Sequence, residues 1–236
     1  MVTVVLLSMM ATGCGVMYYP QLADVPLIDH QGDTRVSAAA YFYPHWGFET
    51  TTTVGLANHF AWQVHLNYGL VSYFHVSPGV FFSNDNRVLE AYVGLGMGSG
   101  GRSGLGHSLV DYGRGSYTSA FLQLNYGWKN LTKAHIDYGF SLKAGYFKPS
   151  FNGKIPYIDE TQIDETITVA GRDISYYGTN LQLEPQAFFR IGGEHVKYSL
   201  QMGYVYLPDL SAFNRANHNV FHYSPFSITN GITFSF

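Results

Sequence analysis

An all-β chain, closed as an antiparallel up-and-down transmembrane β-barrel of about ten strands, is what these 236 residues predict, and three observations predict it. Apolar and polar residues alternate with a period of two through most of the chain, which is the mark of strands with two unlike faces. Charged residues are only 12% of the chain beside 19 Tyr, 17 Phe and 26 Gly, too few to cover an ordinary water-facing surface. No apolar stretch after residue 14 reaches the length of about 20 that a membrane helix needs, so any crossing must be made by strands.

Composition also limits the partners. A net charge of -3 without a Lys/Arg-rich run cannot neutralise phosphates, which sets nucleic acid aside. The single Cys14 excludes an internal disulfide framework and a paired-cysteine metal site. No polar or Pro-rich stretch is long enough to separate two domains.

Residues Met1 to Met10 are an apolar run, and Ala11-Thr12-Gly13-Cys14 after it resembles the lipobox of bacterial lipoprotein signal peptides. The resemblance implies a signal peptide over 1–13, an acylated Cys14, and a lipidated periplasmic tether over 14–32, which is rich in Tyr and Pro (Tyr18, Tyr19, Pro20, Pro26). The barrel then occupies 33–236.

Alternating segments fall at about 34–43, 48–57, 61–71, 73–83, 87–100, 117–129, 134–149, 180–191, 196–207 and 224–236. In the seventh, Ala134, Ile136, Tyr138, Phe140, Leu142, Ala144 and Tyr146 take one parity and His135, Asp137, Gly139, Ser141, Lys143 and Gly145 the other. Charges keep to one face. An even count suits closure, and the connections alternate between short turns (57–60, 84–86, 130–132, 192–194) and mostly longer loops (101–116, 150–179, 208–223), with a brief link near Ser72 as the exception. Short turns are expected in the periplasm and long loops outside the cell.

The polar face decides which side meets lipid. It carries Gly, Ser, Thr, Gln and Asn with few charges of both signs, which suits a crowded lumen rather than a solvated exterior. In lipid every backbone group must be paired, so the last strand must find the first. Gly231-Ile232-Thr233-Phe234-Ser235-Phe236 resembles the C-terminal signal of outer-membrane proteins; the resemblance makes Gly231, Ile232, Phe234 and Phe236 the elements read by the barrel-assembly machinery. With the lipobox, the Tyr/Pro segment containing Val25-Pro26-Leu27, and the turn Asn58-His59-Phe60, the layout is similar to small outer-membrane β-barrel lipoproteins of Bacteroidota. That likeness implies residence in the outer membrane and no particular activity.

On this register Arg35, His65, Glu90, His135, Asp137, Lys143, Glu184, Arg190 and Lys197 face the lumen, where acids and bases must pair, so a structural network is expected. His75-Val76-Ser77 has the His-x-Ser spacing of lipid A deacylase barrels, but Glu90 lies toward the far end of the next strand, against a triad. Asp159, Glu160, Asp164, Glu165, His218 and His222 are loop residues of the kinds omptin proteases use, without a motif, and read as solvated charges. The ten histidines show no metal-ligand spacing, so no metal or cofactor is expected. Trp62, Tyr68, Tyr126, Trp128, Tyr146, Tyr204 and Tyr206 at strand ends would set the depth in the bilayer.

The expected function is that of a non-enzymatic membrane protein, structural or an accessory subunit of a larger outer-membrane complex, in contact with outer-membrane lipid. The alternatives are an outer-membrane enzyme of lipid A deacylase or omptin type, and a narrow solute channel.

Overall fold

A computed structural model describes residues 18–20, 25–43, 47–69, 71–102, 112–158, 169–216, 221 and 223–236. Among these residues eleven strands form: β1 (Thr34–Tyr43), β2 (Gly47–Ala57), β3 (Phe60–Gly69), β4 (Val71–Asn84), β5 (Arg87–Arg102), β6 (Tyr112–Trp128), β7 (Asp137–Ile158), β8 (Val169–Tyr177), β9 (Asn180–Gly192), β10 (Val196–Tyr204) and β11 (Phe226–Ser235). Among the described residues there is one helix, α1 (Pro208–Ala216), between β10 and β11.

All pairings between the strands are antiparallel and, β8 aside, follow chain order, and β1 closes on β11 while β6 closes on β7. Ten strands make the closed barrel. β8 is the exception, because β7 outruns the wall: its lower part, Asp137 to Phe147, pairs with β9, and its upper part, Ser150 to Ile158, pairs with β8. The stretch 150–179, expected to be loop, is therefore largely a raised hairpin. The physical reason is that Ser150 to Ile158 and Val169 to Tyr177 satisfy each other's backbone above the wall.

Both ends of the wall meet at the seam. Phe236 N–H donates to the Thr34 carbonyl at 2.9 Å and Thr34 N–H returns a bond to Phe236 at 3.1 Å, so the C-terminal strand closes the ring. At Gly231 the partner strand approaches so closely that a Cβ would lie 2.2 Å from the Ala38 carbonyl oxygen. Ile232, Phe234 and Phe236 point outward.

The alternation sorts as expected. Leu122, Leu124, Phe140, Leu142 and Leu200 lie on the outer face, while Gln123, Asn125, Ser141, Lys143 and Ser199 are buried inside. Of the residues expected as a girdle, Tyr68 and Tyr146 are the most exposed at 74% and 64%. Trp128 instead packs between Tyr126 and Tyr138, with ring centroids 4.7 Å from each.

The segment expected as a free tether is where the structure departs most. Tyr18, Tyr19, Val25, Leu27 and Ile28 are each no more than 1% exposed, because the described stretches 18–20 and 25–28 lie inside the barrel, an internal strap. Tyr18 lies at the long-loop end, bridged to Tyr223 and packed on Tyr117 and Phe147. Leu27 and Ile28 lie at the short-turn end, among Val88, Phe188, Phe81 and Tyr92. The strap leaves the lumen beside Gly55, whose carbonyl accepts from Gly32 N–H at 2.8 Å, and enters β1. Burial of these apolar side chains removes them from water, which a free tether would not. Two wall glycines make the room: a Cβ on Gly127 would meet Leu27 at 2.8 Å, and one on Gly55 would meet the His30 carbonyl at 2.6 Å.

The loop 208–223 also turns inward. α1 begins with Pro208 and places Asp209 in its first turn and Arg215 in its last, matching the helix dipole. Leu210 and Asn214, one turn apart, face the barrel; Leu210 N–H donates to Asn180 Oδ1 at 2.7 Å, and Asn214 Nδ2 to the Phe221 carbonyl at 2.7 Å. With Phe221 stacked on Phe213 and packed against Phe151, the helix lids the lumen above Tyr18.

Candidate functional site: the strap and the charged lumen

The inward parity of the strands delivers eight of the nine expected lumen residues. Arg35, His65, Glu90, Asp137, Lys143, Glu184, Arg190 and Lys197 are all at least 96% buried. His135 is the correction: it sits in the turn before β7 with φ 45°, its N–H donating to the Thr132 carbonyl at 2.9 Å. The reversal at Asn130 (φ 54°) and His135 needs two left-handed residues, which breaks the alternation and takes His135 out of the strand.

These residues form separate groups rather than one network. Near the short-turn end Asp137 is the hub: Lys197 Nζ lies 2.5 Å from it, Arg35 Nη1 lies 4.0 Å away, and Asn130 N–H donates to it at 2.8 Å. Arg190, opposite Asp137 in register, lays its guanidinium over the Phe188 ring at 4.5 Å. Toward the long-loop end Lys143 Nζ lies 2.6 Å from Glu184 and 5.2 Å from the Phe121 centroid. Buried charges persist only when paired and hydrogen-bonded in this way.

Two of the carboxylates hold the strap. Ile28 N–H donates to Glu90 Oε1 at 2.8 Å, while Asn125 Nδ2 donates to Glu90 Oε2 at 2.9 Å. The Tyr18 hydroxyl donates to Glu184, and Gln182 Nε2 donates both to that hydroxyl at 2.6 Å and to Glu184 at 2.8 Å. Below, Lys129 Nζ donates to Asp29 Oδ2 at 2.6 Å and Ser83 Oγ to the Asp29 carbonyl at 3.0 Å. Asp29, His30 and Asp33 bring one potential metal-ligand atom each within 4.8 Å of one another, but Lys129 already supplies a positive charge there. The carboxyl of Asp29 titrates below the usual range: burial pushes it up, and hydrogen bonds with Asp33 and Lys129 outweigh that. Asp33 is pushed above the usual range by burial and by the hydrogen bond it shares with Asp29.

The His-x-Ser pair has no catalytic geometry. His75 stacks on His65 at 4.9 Å and edge-on to Phe121 at 5.1 Å, and among the described residues neither its ring nitrogens nor the Ser77 hydroxyl has a hydrogen-bond partner. Both are sealed in the lumen, and Glu90 is committed to Ile28 and Asn125. Asp159, Glu160, Asp164, Glu165, His218, His222 and Cys14 lie outside the described residues.

Sequence reasoning missed the strap anchors Tyr18, Ile28, Asp29, Lys129 and Gln182. The signal available was Val25-Pro26-Leu27-Ile28, more apolar than a solvated tether should be. Fold and lumen together define a closed ten-stranded β-barrel whose own N-terminal segment fills its interior. Compared with known protein families, with curated proteins and with solved structures, the chain matches none.

Proposed function

We propose that this chain is an integral outer-membrane β-barrel lipoprotein without enzymatic activity, acting as a structural or accessory subunit of an outer-membrane complex with its lumen closed to solutes. The observation that carries the reading is the strap. Among the described residues, a chain segment held by Glu90 and Glu184 and lidded by Phe213 and Phe221 occupies lumen space that a porin keeps open to water. The exposed Leu, Phe, Tyr and Met of the outer wall support residence in lipid, since they form a band that water would penalise.

Acylation of Cys14 belongs to the same proposal, with one revision. Three residues, and so four Cα steps, separate Cys14 from Tyr18, a reach of about 14 Å at most, so the anchor would sit at the long-loop end and not beside the C-terminus. Insertion by the barrel-assembly machinery, through the C-terminal strand, is likewise part of it.

Planar-bilayer recording tests the closed lumen. The purified barrel should show no unitary conductance, and a variant lacking residues 18–30 should conduct while keeping its heat-modifiable mobility on gels. Steady conductance through the intact chain would refute the proposal in favour of a channel.

A further inference from the structure

Among the described residues, the outer wall carries little charge away from its ends except on one side. Between Tyr138 and Tyr146 the outward residues of β7 are apolar or small, and two residues above Tyr146 stands Lys148, exposed, opposite Thr118 on β6. Four residues further along β6 from Thr118, toward the long-loop end, is a second outward cation, Arg114, opposite Asn152. Neither has a carboxylate partner among the described residues of the wall: Asp173, the nearest acid in register, pairs with Lys154 at 3.7 Å. Beside Lys148 the wall is hollowed into an open groove of about 540 Å³, lined by Phe74, Leu95, Met97, Ala120 and Tyr146, with Thr118, Thr179 and Lys148 as its polar lining; Lys148 and Thr118 stand two residues beyond Tyr146 and Ala120 and share a register row with Met97 and Phe74.

The chemistry changes sharply along this groove, from alkyl and ring surface to hydroxyl and ammonium within two residues of strand. A phosphate-bearing lipid has the same order of groups over the same boundary, because acyl chains fill apolar hollows while cations at the interface attract phosphate. Small side chains make the hollow: Ala120 sits where the neighbouring outward residues are Leu122 and Leu95. We propose that this groove is a binding site for an acylated, phosphate-bearing lipid of the leaflet at the long-loop end, with an acyl chain against Leu95 and Met97 and the phosphate on Lys148, reinforced by Arg114. The site rests on the membrane reading given above.

The test uses the full-length barrel with Cys14→Ser, a replacement cleavable signal and Met97→Cys carrying a fluorophore, reconstituted in phosphatidylcholine vesicles. Spin-labelled phosphatidate at 5 mol% should quench the fluorophore at least about two-fold more than spin-labelled phosphatidylcholine at the same density. Lys148→Gln should bring the two to equality, and Lys148→Arg should keep the difference. Lys133→Gln, an exposed cation at the opposite end, should leave it unchanged. Equal quenching in the parent, or a preference that survives Lys148→Gln, would overturn the site while leaving the membrane reading intact. Absence of quenching by either lipid would overturn both.

Discussion

The backbone N–H of Ile28 donates to the carboxylate of Glu90 across 62 residues of chain, and this bond fixes the strap in the lower half of the lumen. A buried carboxylate that accepts from a main-chain amide and from Asn125 has both oxygens engaged, so the strap completes the barrel's own polar accounting. Glu90→Gln should leave the barrel closed but loosen the strap. Limited proteolysis between residues 18 and 33 should then speed up at least several-fold while the wall stays resistant; equal rates would show that the bond does not hold the segment.

Glu184 is a second anchor and is also the counterion of Lys143. Glu184→Gln removes the charge from a fully buried pair, and breaking such a pair costs about 3–5 kcal/mol. Lys143→Met with Glu184→Leu should recover most of that, short of the Tyr18 hydrogen bond. Urea midpoints of the folded barrel in detergent compare the three, and a single variant as stable as the parent would contradict the pairing.

Space for the strap can be withdrawn from the wall. Gly127→Leu puts a side chain where Leu27 sits and should expel the lower strap without breaking the Gly127↔Gly139 register. The readout is conductance, absent in the parent and present in the variant. A silent variant with the strap still protected would show that the glycine is dispensable.

The two faces of β7 should respond oppositely to lipid. Leu142 is outward and 44% exposed to the surroundings, so on the membrane reading proposed above Leu142→Arg, near the bilayer midplane, should cost about 2–4 kcal/mol. Ser141 is 4% exposed against a filled lumen, so Ser141→Arg should clash as well. Cysteine labelling separates the causes: a probe at 142 should be quenched by spin-labelled lipid and one at 141 should not. The reverse pattern would mean an inverted barrel.

Acid should act at the strap's exit. Asp29 has a depressed folded-state value, so its contribution is present above the ordinary carboxylate pKa and lost as pH falls through the folded value. Asp33 has a raised one, so its contribution is present below the ordinary pKa and lost as pH rises through the folded value. At pH 7 Asp29→Asn should therefore melt below the parent and Asp33→Asn at or above it, and both differences should shrink in acid. Melting curves at pH 7 and pH 3 check this, and equal losses for the two variants would break the assignment.

Period-two alternation marked the ten wall strands, and the composition of the polar parity decided which face of each turns inward, because a strand's side chains can only point two ways and charges tolerate only one of them here. That is why Lys143 and Glu184 were legible as lumen residues before either was seen to touch the other. Local chemistry could not determine what fills the lumen. Tyr18, Val25 and Ile28 have no periodic pattern, and their burial depends on glycines and carboxylates 27 to 166 residues away in the chain. His135 was misplaced for a related reason: positive φ values at Asn130 and His135 shape the turn, and the strand begins only at Asp137, three residues after the expected start at 134. The wall follows from each segment's own pattern, whereas the strap, its anchors and the lid over them exist only once the wall has closed around them.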